Sequence, residues 1–126
     1  MKTPQYTIMV VDDEENIRWL YKEELEEEGY KIETAASGEE ALKILPEINP
    51  DLIVMDIKMP GISGVETLVK IKEIDKNIPV ILCSAYGDYK QDFTTWASDA
   101  YVVKAASLDE LKKAILEVLE KRYPKK

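Results

Sequence analysis

The chain contains no histidine and a single cysteine among its 126 residues. Without an imidazole there is no base for a serine-type or cysteine-type triad and no His-ligated metal site. A lone cysteine can form neither an internal disulfide nor a zinc cluster. Cys83 lies in the apolar run Val80-Ile81-Leu82-Cys83 and is expected to be a small core residue. No apolar run approaches the roughly 18 residues that suggest a membrane span. The N-terminus also lacks the basic, apolar and small-residue succession of a signal peptide, so a cytoplasmic location is expected and no membrane partner. Basic clusters are missing too: 17 Lys and Arg stand against 25 Asp and Glu, a net charge of −8, which argues against nucleic-acid binding. There is no internal repeat, low-complexity segment or Gly/Ser-rich linker at which to divide the chain. One domain is expected over residues 1–126, ordered from about 6 to 121. Its chemistry is left to carboxylates, hydroxyls and lysine.

What is present is an alternation. Ile8 to Val11, Lys31 to Ala35, Leu52 to Met55, Pro79 to Cys83 and Ala100 to Val103 read as short strands. Between them, Ile17, Leu20, Tyr21 and Leu25 recur at helical spacing, then Ala41, Leu42, Leu45 and Ile48, then Val65, Leu68 and Val69. The stripe Leu108, Leu111, Ile115, Val118 and Leu119 marks a last helix, with Ser107 and Glu110 at capping-box spacing and a tail from Tyr123 to Lys126 that is expected to fray. Gly29 reads as a helix stop, Ser37-Gly38-Glu39-Glu40 as a cap and Asn49-Pro50 as a break. A further helix over residues 86–97 is expected to be mobile, because Thr94 and Thr95 favour helix weakly. Near-continuous apolar strands alternating with helices imply a doubly wound α/β fold. Its five parallel strands, in order 2-1-3-4-5, are flanked by five helices in a flavodoxin-like three-layer sandwich.

Ligands of such sheets bind beyond the carboxyl ends of the strands, at the switch point in strand order. There strand one delivers Asp12 and Asp13, strand three Asp56, strand four Ser84 and strand five Lys104. Two unit charges ~4 Å apart cost about 4 kcal/mol at an effective dielectric of ~20, so a proton or a divalent cation should enter a cluster of three acids. Magnesium suits all-oxygen ligands, and manganese is expected to substitute. A carboxylate beside a hard cation, facing a hydroxyl and an ammonium, has the parts needed to accept a phosphoryl group. Asp56 is the candidate acceptor, Ser84 a hydrogen-bond donor to a transferring oxygen, and Lys104 a compact positive charge. Taken singly, each has a plainer reading: Asp12 and Asp13 as helix cap or solvated loop, Asp56 as part of a turn, Ser84 as a strand-end hydroxyl, Lys104 as a solvated lysine. Their joint placement at four strand ends favours a site.

The segments VVDDEENIR, VMDIKMPGISG, ILCSAYG and AYVVKA resemble, in order and at usual separations, the four signatures of response-regulator receiver domains. The resemblance implies that Asp13, Asp56 and the Lys58 backbone carbonyl ligate Mg2+, with Asp12 acting through water. It implies phosphorylation of Asp56 by a sensor histidine kinase or a histidine phosphotransfer protein, in a protein that catalyses its own phosphorylation and slow dephosphorylation. Ser84 and Tyr101 would form the switch, although an aromatic at a strand end is also ordinary rim packing. Within the family the likeness is greatest to single-domain intermediates of sporulation phosphorelays, through DIKMPGISG, EIDKNIPVI and SAYGD. Lys58 and Tyr86 flank a water's approach to the acyl phosphate and are expected to slow its loss. The face carrying Asn16, Ile17 and Leu20, with Ala105 and Ala106, is where the family meets its phosphohistidine donors, though Ile17 also suits the core. Trp19 falls off the apolar stripe beside Arg18, suiting either a partner's helix or sheet-edge packing.

Two residues depart from the family pattern. Ala105 replaces the usual proline, often cis, after the lysine, and a cis bond there costs roughly 2.5 to 4 kcal/mol; Ala97 replaces a common glycine. The local paths around Lys104 and residue 97 are therefore expected to differ. An aspartyl-phosphate-forming phosphatase would want a second acid where Lys58 stands, and a flavin domain would want a hydroxyl-rich cradle where Asp12 to Glu15 place four acids. A monomer is expected, and the alternative of a receiver cut from a longer DNA-binding regulator stays open.

Overall fold

The segment Leu52–Asp56 is buried at all five positions, as a strand covered on both faces must be. The computed structural model describes residues 5–84, 100–103 and 108–124, with the backbone alone for Ser84, Ala100, Tyr101 and Val103. Five strands, β1 (Thr7–Val11), β2 (Lys31–Ala35), β3 (Leu52–Asp56), β4 (Val80–Ser84) and β5 (Ala100–Val103), form one sheet in the order β2-β1-β3-β4-β5, all pairs parallel. The helices among the described residues are α1 (Glu15–Glu27), α2 (Gly38–Ile48), α3 (Gly64–Ile74) and α4 (Leu108–Arg122). The helix expected over 86–97 and the Ser107 cap lie outside the described residues. Among the described residues no helix is long and apolar enough to cross a membrane.

Strand parity divides the interior into two cores. Met9, Val11, Ile53, Met55, Val80 and Leu82 face α2 and α3, meeting Ala41, Leu45, Leu68 and Ile71. Ile8, Val10, Leu52, Val54, Ile81 and Cys83 face α1 and α4, meeting Tyr21, Leu25, Leu111, Ile115 and Leu119. Cys83 is thus the core residue its apolar run implied. Two stripe residues lie elsewhere than expected. Leu20 is 37% exposed, because burial of Tyr21 and Leu25 turns it out of the core, adjacent helical residues being roughly 100° apart. Val69 is 49% exposed, since Gly64, Thr67, Leu68 and Ile71 make the inward face of α3 at spacings i, i+3, i+4 and i+7.

Punctuation follows the sequence closely. Ser37 Oγ accepts the Glu40 N–H at 3.0 Å, and the Glu40 carboxylate accepts from Ala36 N, a reciprocal cap on α2. Asn49 closes α2 in the left-handed region at φ 49°. Ser63 Oγ caps α3 by accepting the Glu66 N–H at 3.1 Å.

Of the tail expected to fray, Lys125 and Lys126 lie outside the described residues, while Tyr123 is anchored. Its ring stacks on Tyr6 with centroids 5.6 Å apart, and its hydroxyl donates to the Asp51 carbonyl at 3.0 Å. Arg122 lies over the same ring and donates from Nε to the Asn77 carbonyl at 2.9 Å. A large ring with a satisfied polar tip outweighs the end-of-chain entropy that fraying assumes. Burial, and next the charge of Asp51, raise the Tyr123 phenol above its ordinary value of 10.0. The fold therefore favours the neutral phenol: its contribution is complete below the unfolded value and declines as pH climbs past about 10 toward the raised folded value. Tyr123→Phe should cost about 1 kcal/mol at neutral pH and should flatten the alkaline fall in Tm measured by circular dichroism.

Candidate functional site

β1 and β3 are hydrogen-bonded neighbours at the switch point, and Val11 pairs with Met55. The next residues, Asp12 and Asp56, therefore reach the carboxyl edge of the sheet side by side. Carboxylate oxygens of Asp12, Asp13 and Asp56 lie within 4.8 Å of one another. Asp12 and Asp56 are buried at 2% and 7% exposure, whereas Asp13 is exposed. Three acids in so small a space, two of them withdrawn from water, demand a positive partner. The donor set fits a hard divalent cation, because all three side chains offer carboxylate oxygens and exposed Asp13 leaves the cluster open to water.

The loops that carry these acids are held by contacts that local sequence pattern does not announce. Asp12 donates its N–H to Ala35 O at 3.1 Å, its Oδ1 accepts the Glu14 N–H at 2.9 Å, and its carbonyl accepts from Arg18 Nη1 at 2.7 Å. The contact to Glu14 is a turn just ahead of α1, whose N-cap is Glu14 without a side-chain cap, so Asp12 is a member of the acid cluster and not the helix cap of the plainer reading. After Asp56, Ile57 N continues the ladder to Cys83 O at 3.0 Å, and Gly64 N closes the loop on Ile57 O at 2.7 Å. Gly61 takes φ 78°, a conformation suited to glycine. The Glu39 carboxylate at the start of α2 accepts the Ile62 N–H at 3.4 Å and lies against Gly61. The start of α3 presses on Asp56 itself: a Cβ at Gly64 would meet the Asp56 carbonyl oxygen and would sit 2.7 Å from Ile57 Cα.

Lys58 is exposed in this loop, two residues beyond Asp56. Cys83 pairs with Asp56, so the backbone of Ser84 ends β4 one residue past the level of Asp56, and Tyr101 pairs by its backbone with Leu82. The side chains of Ser84 and Tyr101, and all of Tyr86, Lys104, Ala105 and Ala106, lie outside the described residues. On α1, Asn16 is exposed, Ile17 and Arg18 are half-buried, and Trp19 is 64% exposed. Ile17 packs against the α1/α4 core, and Trp19 borders a shallow depression with Glu15, Arg18, Lys22 and Thr34.

Comparison with known proteins agrees with this geometry. Residues 8–116 match the model of the response regulator receiver domain. Sporulation initiation phosphotransferase F of Bacillus subtilis is 39% identical over 114 residues, covering 89% of this chain and 92% of that protein. The response regulator TrrA of Thermotoga maritima, solved in complex with Mg2+-BeF, superposes with a TM-score of 0.87 at 51% identity, covering 91% of this chain and 100% of that one. TrrA solved in complex with the histidine kinase ThkA gives 0.85 at 51% identity over 91% of this chain and 99% of that one.

Because the atoms facing Gly64 are backbone, they cannot turn aside. Gly64→Ala should destabilise the protein by about 1–3 kcal/mol, read as a lower urea midpoint at unchanged m-value, and should shift the backbone amide resonance of Ile57.

Proposed function

The chain belongs to the response regulator receiver domain family, and on that premise we propose that Asp56 accepts a phosphoryl group from a partner's phosphohistidine. The observation that carries this reading is the convergence of Asp12, Asp13 and Asp56 within 4.8 Å at the switch point. A carboxylate oxygen of Asp56 attacks phosphorus as the P–N bond breaks, and the bonding pair returns to the imidazole of the donor, which takes a proton from solvent. Asp13, Asp56 and the Lys58 carbonyl would hold Mg2+, or Mn2+ in its place, with Asp12 acting through water. The bound cation supplies positive charge to the transferring oxygens. Lys104 would offset charge on the transferring oxygens, Ser84 would hydrogen-bond one of them, and movement of Ser84 and Tyr101 would relay the change. On this reading the domain catalyses both its own phosphorylation and a slow hydrolysis.

The donor is a sensor histidine kinase or a histidine phosphotransfer protein, acting on a cytoplasmic, monomeric domain; the net charge of −8 supports a domain that does not itself bind nucleic acid. The surface offered to the donor comprises Asn16, Ile17, Arg18, Trp19 and Leu20 with Ala105 and Ala106. Exposure of Trp19 and Leu20 on α1 supports it, since aromatic residues and arginine concentrate at interfaces.

Incubation with a phosphorylated histidine phosphotransfer protein and Mg2+ should label the wild type and leave Asp56→Asn unlabelled; labelling that survives in Asp56→Asn overturns the assignment. Mg2+ at ten times its Kd should stabilise the fold by about 1.4 kcal/mol, and Asp13→Ala should abolish that gain. Lys58→Ala and Tyr86→Ala should each lose the acyl phosphate faster than the wild type in a single-turnover decay, and unchanged decay would remove both residues from control of its lifetime.

A further inference from the structure

We infer that Arg18 is a positioning residue for the cation site, holding the Asp12–Asp13 peptide from outside the acid cluster. The inference rests on the metal reading given above. Among the contacts that hold Asp12 are its N–H to Ala35 O, its Oδ1 from Glu14 N, and its carbonyl from Arg18 Nη1 at 2.7 Å. The last differs in kind from the others. It is charge-assisted, it spans six residues, and it reaches the one backbone group shared with the next acid. Since the peptide is planar, fixing the Asp12 carbonyl fixes the direction in which the chain enters Asp13. Asp13 is the exposed member of the cluster, and its backbone is where an external clamp has most effect.

Arg18 is well placed for this task. Its own N–H is bonded to Glu14 O at 3.0 Å in the first turn of α1, so the guanidinium is mounted on a helix that packs on the sheet through Tyr21 and Leu25. A planar fork loses less freedom per hydrogen bond than an ammonium on a flexible stem.

Charge and geometry make opposite forecasts. If Arg18 acted only as a cation near three acids, it would compete with the metal, and its removal would tighten Mg2+ binding. As a clamp on the ligand-bearing peptide, its removal must weaken binding; partners of metal ligands typically account for about 10-fold or more in affinity. The test is a MgCl2 titration at constant ionic strength followed by backbone amide shifts, on the wild type, Arg18→Ala, Arg18→Lys and Asp13→Ala, with metal-free Tm measured alongside. Arg18→Ala should raise the Mg2+ Kd about 10-fold with little change in metal-free Tm, and Arg18→Lys, which keeps charge and one donor, should recover part of the loss. Unchanged or tighter binding in Arg18→Ala, while the wild type binds Mg2+ in an Asp13-dependent way, overturns the inference. If Arg18→Ala fails to fold, full wild-type affinity in Arg18→Lys would overturn the fork and partial loss would support it. A wild type with no Asp13-dependent binding would instead overturn the metal reading, and this inference with it.

Discussion

Repulsion among three carboxylates is the constraint on which the rest of the domain's edge depends. Hydrogen bonding between β1 and β3 forces Asp12 and Asp56 together, and Asp13 follows Asp12 without an intervening residue. The fold holds them there through contacts that fix the backbone on either side: Asp12 through Ala35, Glu14 and Arg18, and the segment after Asp56 through Cys83, Gly64 and Glu39. A cluster that would spread if its loops were slack is instead presented at fixed separation.

Much of this was legible in the sequence, because period and punctuation are local properties. The strand runs, the caps at Ser37 and Asn49, the stop at Gly29 and the burial of Cys83 all follow from neighbours a few residues away. The acid cluster was legible for a different reason: a doubly wound sheet gathers its strand ends, so Asp12, Asp13 and Asp56 needed only the topology to be brought together.

What was not legible depends on contacts between segments distant in sequence. The outward turn of Leu20 and Val69 is a matter of a helix's rotation about its axis, which apolar spacing constrains only loosely when stripe residues flank the buried ones. Tyr123 is fixed by Tyr6 and Asp51, partners more than seventy residues away, and no terminal pattern reveals them. Glu39 reads as one acid of a helix cap, yet it reaches the loop around Gly61 and Ile62. Arg18 reads as a surface cation, yet it reaches a backbone carbonyl that has no side-chain signature. Side chain to backbone contacts leave almost no trace in residue identity, because any residue supplies a carbonyl.

The division of the interior by strand parity carries its own implication. Neighbouring residues of β1 and β3 belong to different cores, one shared with α2 and α3 and the other with α1 and α4. Side-chain volume can therefore drift on one face of the sheet without being compensated on the other, so long as the strands keep their register. Descendants of such a chain could rebuild one layer while the opposite layer stays untouched, and the acids at the shared strand ends would be inherited through both histories.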